Sequence, residues 1–594
     1  MAGAGTPGDG PASGWGARLA VAAAWAVGVA GAVGVAGIIA QAGRIGGADA
    51  PHLLGVDLRL GQLLVDGEVV RAARAWWALL APQPPFGALL GTFSTVISGG
   101  WPASAAVCMV LTLLGAFDAL QRLSLRMTEG RMGGLVAWVG LLSSPFTWSS
   151  VEQYSRDLSA AVAILQAVSH VAAPGALRRR GAALGFGLWM AMAFGIKYTA
   201  PIFLVGPCVV VGVALAWRRS KAEWRGLGVA VAAFGATAGV WYAVHLNNVR
   251  SYLFSSLDAD AMRATAASVR DVDTLDAKVY YAATLWEAWS APGVALVVLG
   301  LGVGLWSRGS RFGAGVAGAG MVVGVVALSR IAQQVDRYAF PALALGCVLL
   351  IPLGRGWVLP LVALGTLTPR LWTSGERFAA GQLGEPARHE HTLAVFSDPQ
   401  WPQPTSGAYG PSNLRPEAWN LAAAVAALAE VQGPRGTVGV LLPDGPTWPT
   451  FGQLLLPATR IGCRWDWATV NLRAGGAGAG VFMGPLFDGE WPPQTFTSLL
   501  ALETVPPHPQ VAAWLAAHPV TERKRVPADG TSSFVVYTVE GGAGGPPIGG
   551  AGGPPPGPGP TGGAAGAGPQ GPPLSGAPPG PPLSGAPQGP PPAR

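Results

Sequence analysis

The sequence predicts a mainly α, polytopic membrane protein: a transmembrane helical bundle of about eleven spans, a small C-terminal α/β domain and a disordered tail. Three observations carry that prediction. Of 594 residues, 50% are hydrophobic and only 12% charged, against about 25% charged in soluble domains. Apolar stretches recur at close to the ~20 residues that a helix needs to cross a bilayer. The basic residues outnumber the acidic ones by 38 to 31, but they sit in short connections. That is the pattern of cytoplasmic loops under the positive-inside rule, not of a nucleic-acid-binding face.

Residues 1–16 are Gly, Ala, Pro and Ser with almost no charge, and read as a short disordered lead. The run Ala17–Ala42 is too long for a signal-peptide core and lacks a strongly basic start, so it reads as a retained first span. A first outer loop, residues 43–86, follows. It is acidic at its start, amphipathic in its middle, and closed by Pro82–Pro85. Its paired Trp76 and Trp77 are placed to lie on the bilayer surface as an aromatic belt. Phe86–Gly100 reads either as a half-buried interfacial helix or as part of the second span.

Further spans are expected near Ala103–Leu120, Gly133–Trp148, Leu158–Ala173, Ala182–Ile196, Pro201–Trp217 and Leu227–His245. Four more lie near Gly293–Trp306, Ala314–Leu328, Tyr338–Pro352 and Trp357–Leu371, completing a transmembrane domain over 17–373. With the N-terminus inside, the cytoplasmic loops collect Arg178, Arg179, Arg180, Arg218, Arg219, Lys221 and Arg225. The opposite loops carry Asp49, Glu152, Asp157, Asp258, Asp260 and Asp336. An odd span count delivers the C-terminal part to the outer side of the plasma (inner) membrane.

Over 374–540 charged and polar residues return, and short β-like runs alternate with helical ones. Strands are expected at Thr437–Leu442, Gly480–Met483 and Ser533–Val539, and helices at Phe451–Ile461 and Leu499–Ala517, which together suit a small extracytoplasmic α/β domain. From 541 to 594 the chain is nearly all Gly, Pro and Ala, with GPPLSGAPP and GPPLSGAPQ in tandem at Gly571–Gln588. Gly does not recur at every third position, so collagen is excluded and an extended, disordered tail is expected. The 4 cysteines form no disulfide framework: Cys108, Cys208 and Cys347 fall in apolar segments and Cys463 in the soluble part.

Chemistry is sought where ionisable groups meet the ends of spans. Asp49, in Ala48-Asp49-Ala50-Pro51-His52, lies just past the first span, partly desolvated yet in reach of water, a setting that suits a general base. Asp157 opens the fourth span, Lys197 ends the fifth and Arg337 starts the tenth, all on the same side. Such groups often snorkel harmlessly. Two acids and two cations on one face nevertheless fit a site that neutralises a lipid phosphate and activates a hydroxyl. His389 and His391 lack a third ligand at sensible spacing and read as a solvated loop. The glycines of Gly475–Gly480 lack the Lys-Ser/Thr of a phosphate loop.

With these residues in view, the chain resembles the GT-C class of integral-membrane glycosyltransferases, in the branch similar to protein O-mannosyltransferases and lipid A aminoarabinose transferases (glycosyltransferase family 39-like). The resemblance is carried by ADAPHLL at Ala48–Leu54, PQPP at Pro82–Pro85, YSRDLSAAVA at Tyr154–Ala163, GIKYTAPIFLVGP at Gly195–Pro207, WY at Trp241–Tyr242 and RYAFPALAL at Arg337–Leu345. It covers roughly residues 17–370, with each motif short but the set in the right order. It implies a GT-C-like fold, a polyprenyl-phosphate-linked sugar donor and an inverting single displacement. The acceptor hydroxyl would lie on lipid, protein or polysaccharide.

Residue by residue, the resemblance implies Asp49 as catalytic base and Asp157 as second acid, with Lys197 and Arg337 as contacts to the lipid phosphate. Tyr198 and Tyr338 join them as substrate-binding candidates. Two departures stand out: Ala50 occupies the position of the family's usual second acid in the first loop, and Gln83 replaces the His of its HPPL stretch. No cofactor is assigned, a divalent metal is left open, and His52 is a candidate to supply a missing polar group. A secondary transporter and a catalytically inactive scaffold are the competing readings. The charged groups sit at span ends rather than the bilayer midplane, which weighs against a transporter.

Overall fold

The structure, a computed structural model, describes residues 15–42, 50–77, 84–99, 103–152, 154–247, 249–250, 274–331, 336–379, 420–433, 435–441, 464–469, 498–517, 519–528 and 532–539. The expected strand at Gly480–Met483, the helix at Phe451–Ile461, the His389/His391 loop, the glycines of Gly475–Gly480 and the tail lie outside these residues, as does Asp49.

Every apolar segment marked as a span falls on helix. The first is α1 (Trp15–Ala42). The stretch between the first and second apolar segments supplies α2 (Ala50–Val65), α3 (Val69–Trp77) and α4 (Gly87–Ser98). Then follow α5 (Ala103–Thr128), α6 (Met132–Ser143), α7 (Pro145–Glu152) and α8 (Arg156–Val171). Next come α9 (Arg180–Ile196), α10 (Ala200–Arg218) and α11 (Lys221–Phe234), the last continuing through a π turn into α12 (Val240–Val244). The bundle is completed by α13 (Leu275–Trp306), α14 (Arg311–Leu328), α15 (Phe340–Val348) and α16 (Val358–Ala379). Among the described residues, 6 helices are long and apolar enough to cross a membrane: Ala103–Thr128, Ala200–Arg218, Lys221–Val244, Ala277–Trp306, Arg311–Leu328 and Arg337–Gly354. Shorter apolar helices, among them Val21–Val35, Met132–Ser143 and Arg180–Ile196, pack beside them. Phe86–Gly100 resolves into a separate helix, α4, because Gly99 takes φ +82 and stops it before α5.

Two helices form the centre. From Leu158 to Ala172, α8 is buried almost all round, and so are all residues of α15. A helix that is apolar on every face belongs inside a bundle. In a bilayer, lipid tails solvate apolar surface as well as protein does, so contact between helices comes from close approach and packing. Gly206 of α10 illustrates this: a Cβ there would lie 2.3 Å from the carbonyl oxygen of Ala319 in α14. At the α1–α5–α6 junction Phe117 is gripped edge-on by Trp25 and Trp138, with ring centroids 5.2 and 5.5 Å away. Both central helices begin with charged residues, Arg156-Asp157 and, one turn ahead of α15, Arg337-Tyr338. The least yielding parts of the fold therefore fix those side chains.

The C-terminal region holds a five-stranded sheet in the order β2-β1-β3-β5-β4, with β1 (Arg435–Leu441), β2 (Arg464–Thr469), β3 (Ser498–Thr504), β4 (Val520–Pro527) and β5 (Ser532–Val539). β1 runs parallel to β2 and β3, while β5 is antiparallel to β3 and β4. Helix α17 (Leu421–Gln432) covers one face through Leu421, Val425 and Leu428, against Val438, Leu500, Phe534 and Val536. On the other face α18 (Pro509–Ala517) places Val511 against Leu499, Ala501 and Val535. The helix expected over Leu499–Ala517 is therefore corrected: its first part is strand β3, and helix begins only at Pro509. A strand covered on both faces reads as a continuous apolar run, and Ser498–Leu502 is buried throughout. Edge strand β4, VTERKRVP, is kept from further pairing by its exposed charges.

Candidate functional site

The tetrapeptide Tyr154-Ser155-Arg156-Asp157 organises the charged end of the bundle. Ser155 caps α8: its hydroxyl oxygen accepts from the Asp157 N–H at 3.1 Å, satisfying one of the unpaired donors of the first turn. Tyr154 just before it takes φ +49, a conformation rare for a bulky residue. That turn aims its hydroxyl away from α8, and it donates to Asp57 Oδ2 of α2 at 2.8 Å. Arg156 Nη2 donates to both oxygens of the same carboxylate, at 2.7 and 2.9 Å. Asp57 is 0% exposed. Burial pushes its carboxyl up to about 6, and Arg156 and the Tyr154 hydroxyl oppose that rise.

Asp157 faces the other way. Lys197, at the C-cap of α9, donates to its Oδ1, and Arg337 Nε lies 3.8 Å from its Oδ2. The Lys197 ammonium also sits 4.4 Å from the centre of the Tyr338 ring, and the Arg337 guanidinium lies 6.0 Å from the same centre. The Asp157 side chain is 3% exposed, whereas Lys197 and Arg337 keep 19% and 26% of theirs open. One buried carboxylate and two partly exposed cations thus meet at the start of α8, groups of the kind that contact an anion such as a phosphate.

Four of the residues marked from sequence, Asp157, Lys197, Arg337 and Tyr338, thus meet in one cluster. Tyr198 goes elsewhere. It is buried with Trp241 and Val249 and meets the Tyr242 ring edge-on at 6.4 Å. The WY step anchors the neighbourhood of Lys197 instead, through the Tyr242 hydroxyl donating to the Phe194 carbonyl at 2.7 Å. His52 lies in α2, Asp49 immediately before it, and Gln83 outside the described residues. The loop end is stitched to the same region. The Phe86 N–H donates to the Gly195 carbonyl at 2.8 Å, and a Cβ on Gly195 would lie 2.2 Å from the Phe86 ring. Trp76 departs from the membrane-surface belt expected of it: it stacks on Phe86 at 5.6 Å and its indole donates to the Pro85 carbonyl at 2.7 Å. Trp77 keeps 37% of its surface open. Among the described residues no three His, Cys, Asp or Glu side chains gather into a metal-holding group.

From the sequence Asp57 is only a fallback base behind Asp49, and Arg156 has no assigned role. A signal was present, since Asp57 falls on the same helical stripe as Leu54, Leu58 and Gly61 and so puts an acid on the inward face of α2. Its partners lie 97 and 99 residues away, at separations that local periodicity does not reach.

No protein-family model matches the chain, and no curated protein matches its sequence. Solved structures match its fold. The structure of ArnT from Cupriavidus metallidurans bound to undecaprenyl phosphate superposes with a TM-score of 0.54 at 14% identity, over 86% of this chain and 98% of that one. The apo state of the same protein superposes with a TM-score of 0.52 at 14% identity, over 88% and 98%. Identity this low speaks for architecture alone. The chain is an integral membrane protein with the fold of the ArnT structures.

Proposed function

We propose that this protein is a membrane glycosyltransferase that takes a sugar from a polyprenyl-phosphate donor and passes it to an acceptor hydroxyl. The observation that carries the reading is the Asp157–Lys197–Arg337 cluster, in which two half-open cations share one buried carboxylate beside Tyr338. In this reading Asp157 orients Lys197 and Arg337, and these two partly exposed cations hold the donor's phosphate. As the glycosidic bond breaks, the same charge stabilises the phosphate that departs. A GT-C fold whose ArnT representative binds undecaprenyl phosphate is consistent with this.

Asp49 is proposed as the base. It deprotonates the acceptor hydroxyl, whose oxygen attacks the anomeric carbon from the face opposite the phosphate, so configuration inverts in a single displacement and no covalent sugar–enzyme bond forms. His52 is proposed as a supporting substrate contact. The active site and the C-terminal α/β domain are placed on the extracytoplasmic side of the inner membrane.

The test is a comparison of binding and turnover in purified full-length variants. Asp49→Asn retains shape but cannot take a proton, so transfer should fall by about 10²–10⁴ while affinity for the polyprenyl-phosphate donor is nearly unchanged. Wild-type turnover by Asp49→Asn would remove Asp49 from the mechanism.

A further inference from the structure

The other end of the bundle carries a site of its own. α8 starts at Arg156-Asp157 and ends at Val171, so its far end lies about 23 Å from the Asp157 cluster at 1.5 Å per residue. There a Cβ on Gly313, in the first turn of α14, would touch Met127 of α5 at 2.7 Å and the carbonyl of Ala172 at 3.2 Å, which ties three helix ends together. Beside them opens a cavity of 540 Å³ lined by Arg126, Arg308, Arg355 and Glu129. Three guanidinium groups against one carboxylate leave this cavity strongly cationic.

Two further observations mark it as a receptor. Arg355 is held in place, its Nη2 donating to the Met127 carbonyl at 2.9 Å, and a Cβ on Gly309 would approach the same nitrogen to 3.1 Å. Arg126 is half-buried on the cavity wall and Arg308 beside it is exposed, so their guanidinium groups stand at different depths in it. The level of the cavity in the membrane can be read from its neighbours. The candidate spans Ala103–Thr128, Ala277–Trp306 and Arg337–Gly354 end at it, and Arg311–Leu328 begins beside it. Trp306 and Trp357 flank it with 88% and 75% of their surfaces open, as tryptophans at the headgroup layer stand.

We propose that this arginine-lined cavity binds a phosphate group, with Arg126, Arg308 and Arg355 as its donors, independently of the site at Asp157. Guanidinium forks match phosphate oxygens geometrically, and the headgroup-level position gives an anionic phospholipid direct entry. A soluble phosphate could reach the same donors from water.

Full-length protein in neutral detergent is titrated with phosphatidylglycerol and with phosphatidylcholine, and bound lipid is counted by native mass spectrometry. In a parallel arm, thermal stability is followed in inorganic phosphate against chloride at matched ionic strength. The expected result is preferential retention of phosphatidylglycerol, reduced about tenfold or more in Arg126→Gln/Arg308→Gln, since each substitution removes a charge-assisted donor. Stabilisation by inorganic phosphate that the same substitutions abolish would assign the site to a soluble phosphate instead. Should the double variant not fold, Arg308→Gln alone, at an exposed position, reads out the same loss. No preference in either arm, or equal binding by wild type and variants, overturns the proposal.

Discussion

Asp57 and Asp157 are both buried carboxylates served by the same tetrapeptide, yet their surroundings differ in one respect. Asp57 is closed: one guanidinium and one tyrosine hydroxyl cancel it, with Arg156 only 11% exposed. Asp157 is over-served, by two cations that each keep a face open. A neutral, sealed cluster can hold α2 against the start of α8 but has nothing left to offer a ligand. A cluster whose cations keep part of their surface open can still be reached from solvent. Within one motif, then, a lock is told from an accessible cluster by exposure and not by residue type.

The largest expected effect falls on the lock. Asp57→Ala strands Arg156 without its counter-charge, and removing one partner of a buried pair costs about 3–5 kcal/mol. Thermal unfolding of the purified protein should show that loss, with a much smaller one for Asp157→Asn, whose cations can turn to water. Equal losses would erase the distinction between the two centres. On the receptor side, Lys197→Met or Arg337→Met should weaken polyprenyl-phosphate binding by about 1.5–3 kcal/mol each while leaving the unfolding temperature nearly unchanged. Isothermal titration with the lipid phosphate measures the first and a melting curve the second.

Next in size is Gly91→Ala. The added methyl would stand 1.8 Å from Asp57 Oδ2 and 2.4 Å from the Tyr154 hydroxyl, and overpacking of this kind costs about 1–3 kcal/mol. Donor affinity should be spared, because nothing near Lys197 is displaced.

The last effect is a pH dependence. Asp57 has a carboxyl raised from 3.8 to about 6 in the folded protein. Between those values the folded state holds more protons than the unfolded one, so this group's contribution to stability is present at low pH and lost as pH rises through about 6. The stability of wild type relative to Asp57→Asn should therefore fall between pH 4 and pH 7. A difference that stays flat across that window would place the titration elsewhere.

How far the sequence reveals this molecule follows from what each level of structure demands. A bilayer requires apolar helices of set length, so the segments from Ala17 to Leu371 can be located by hydropathy alone, and ionisable residues at their ends such as Lys197 and Arg337 stand out against them. Helix ends set by backbone geometry rather than hydropathy are less visible: Gly99 ends α4 by its left-handed φ, and only the fold shows that this separates α4 from α5. The apolar run Leu499–Leu502 fits a helix or a doubly covered strand equally well until its neighbours Val438 and Val535 are in place. The Asp57–Arg156 pair depends on how α2 folds back onto α8, which no local pattern encodes.

The hydrogen bond from Phe86 to Gly195 gives the protein a reporter of its own. The donor ends the loop after α3 and the acceptor lies two residues before Lys197. That amide can exchange its hydrogen with solvent only when the end of the loop parts from the Lys197 segment. Its deuterium uptake thus reads the free energy of separating the two segments, in the resting protein, without substrate and without any label on the residues that would do the chemistry.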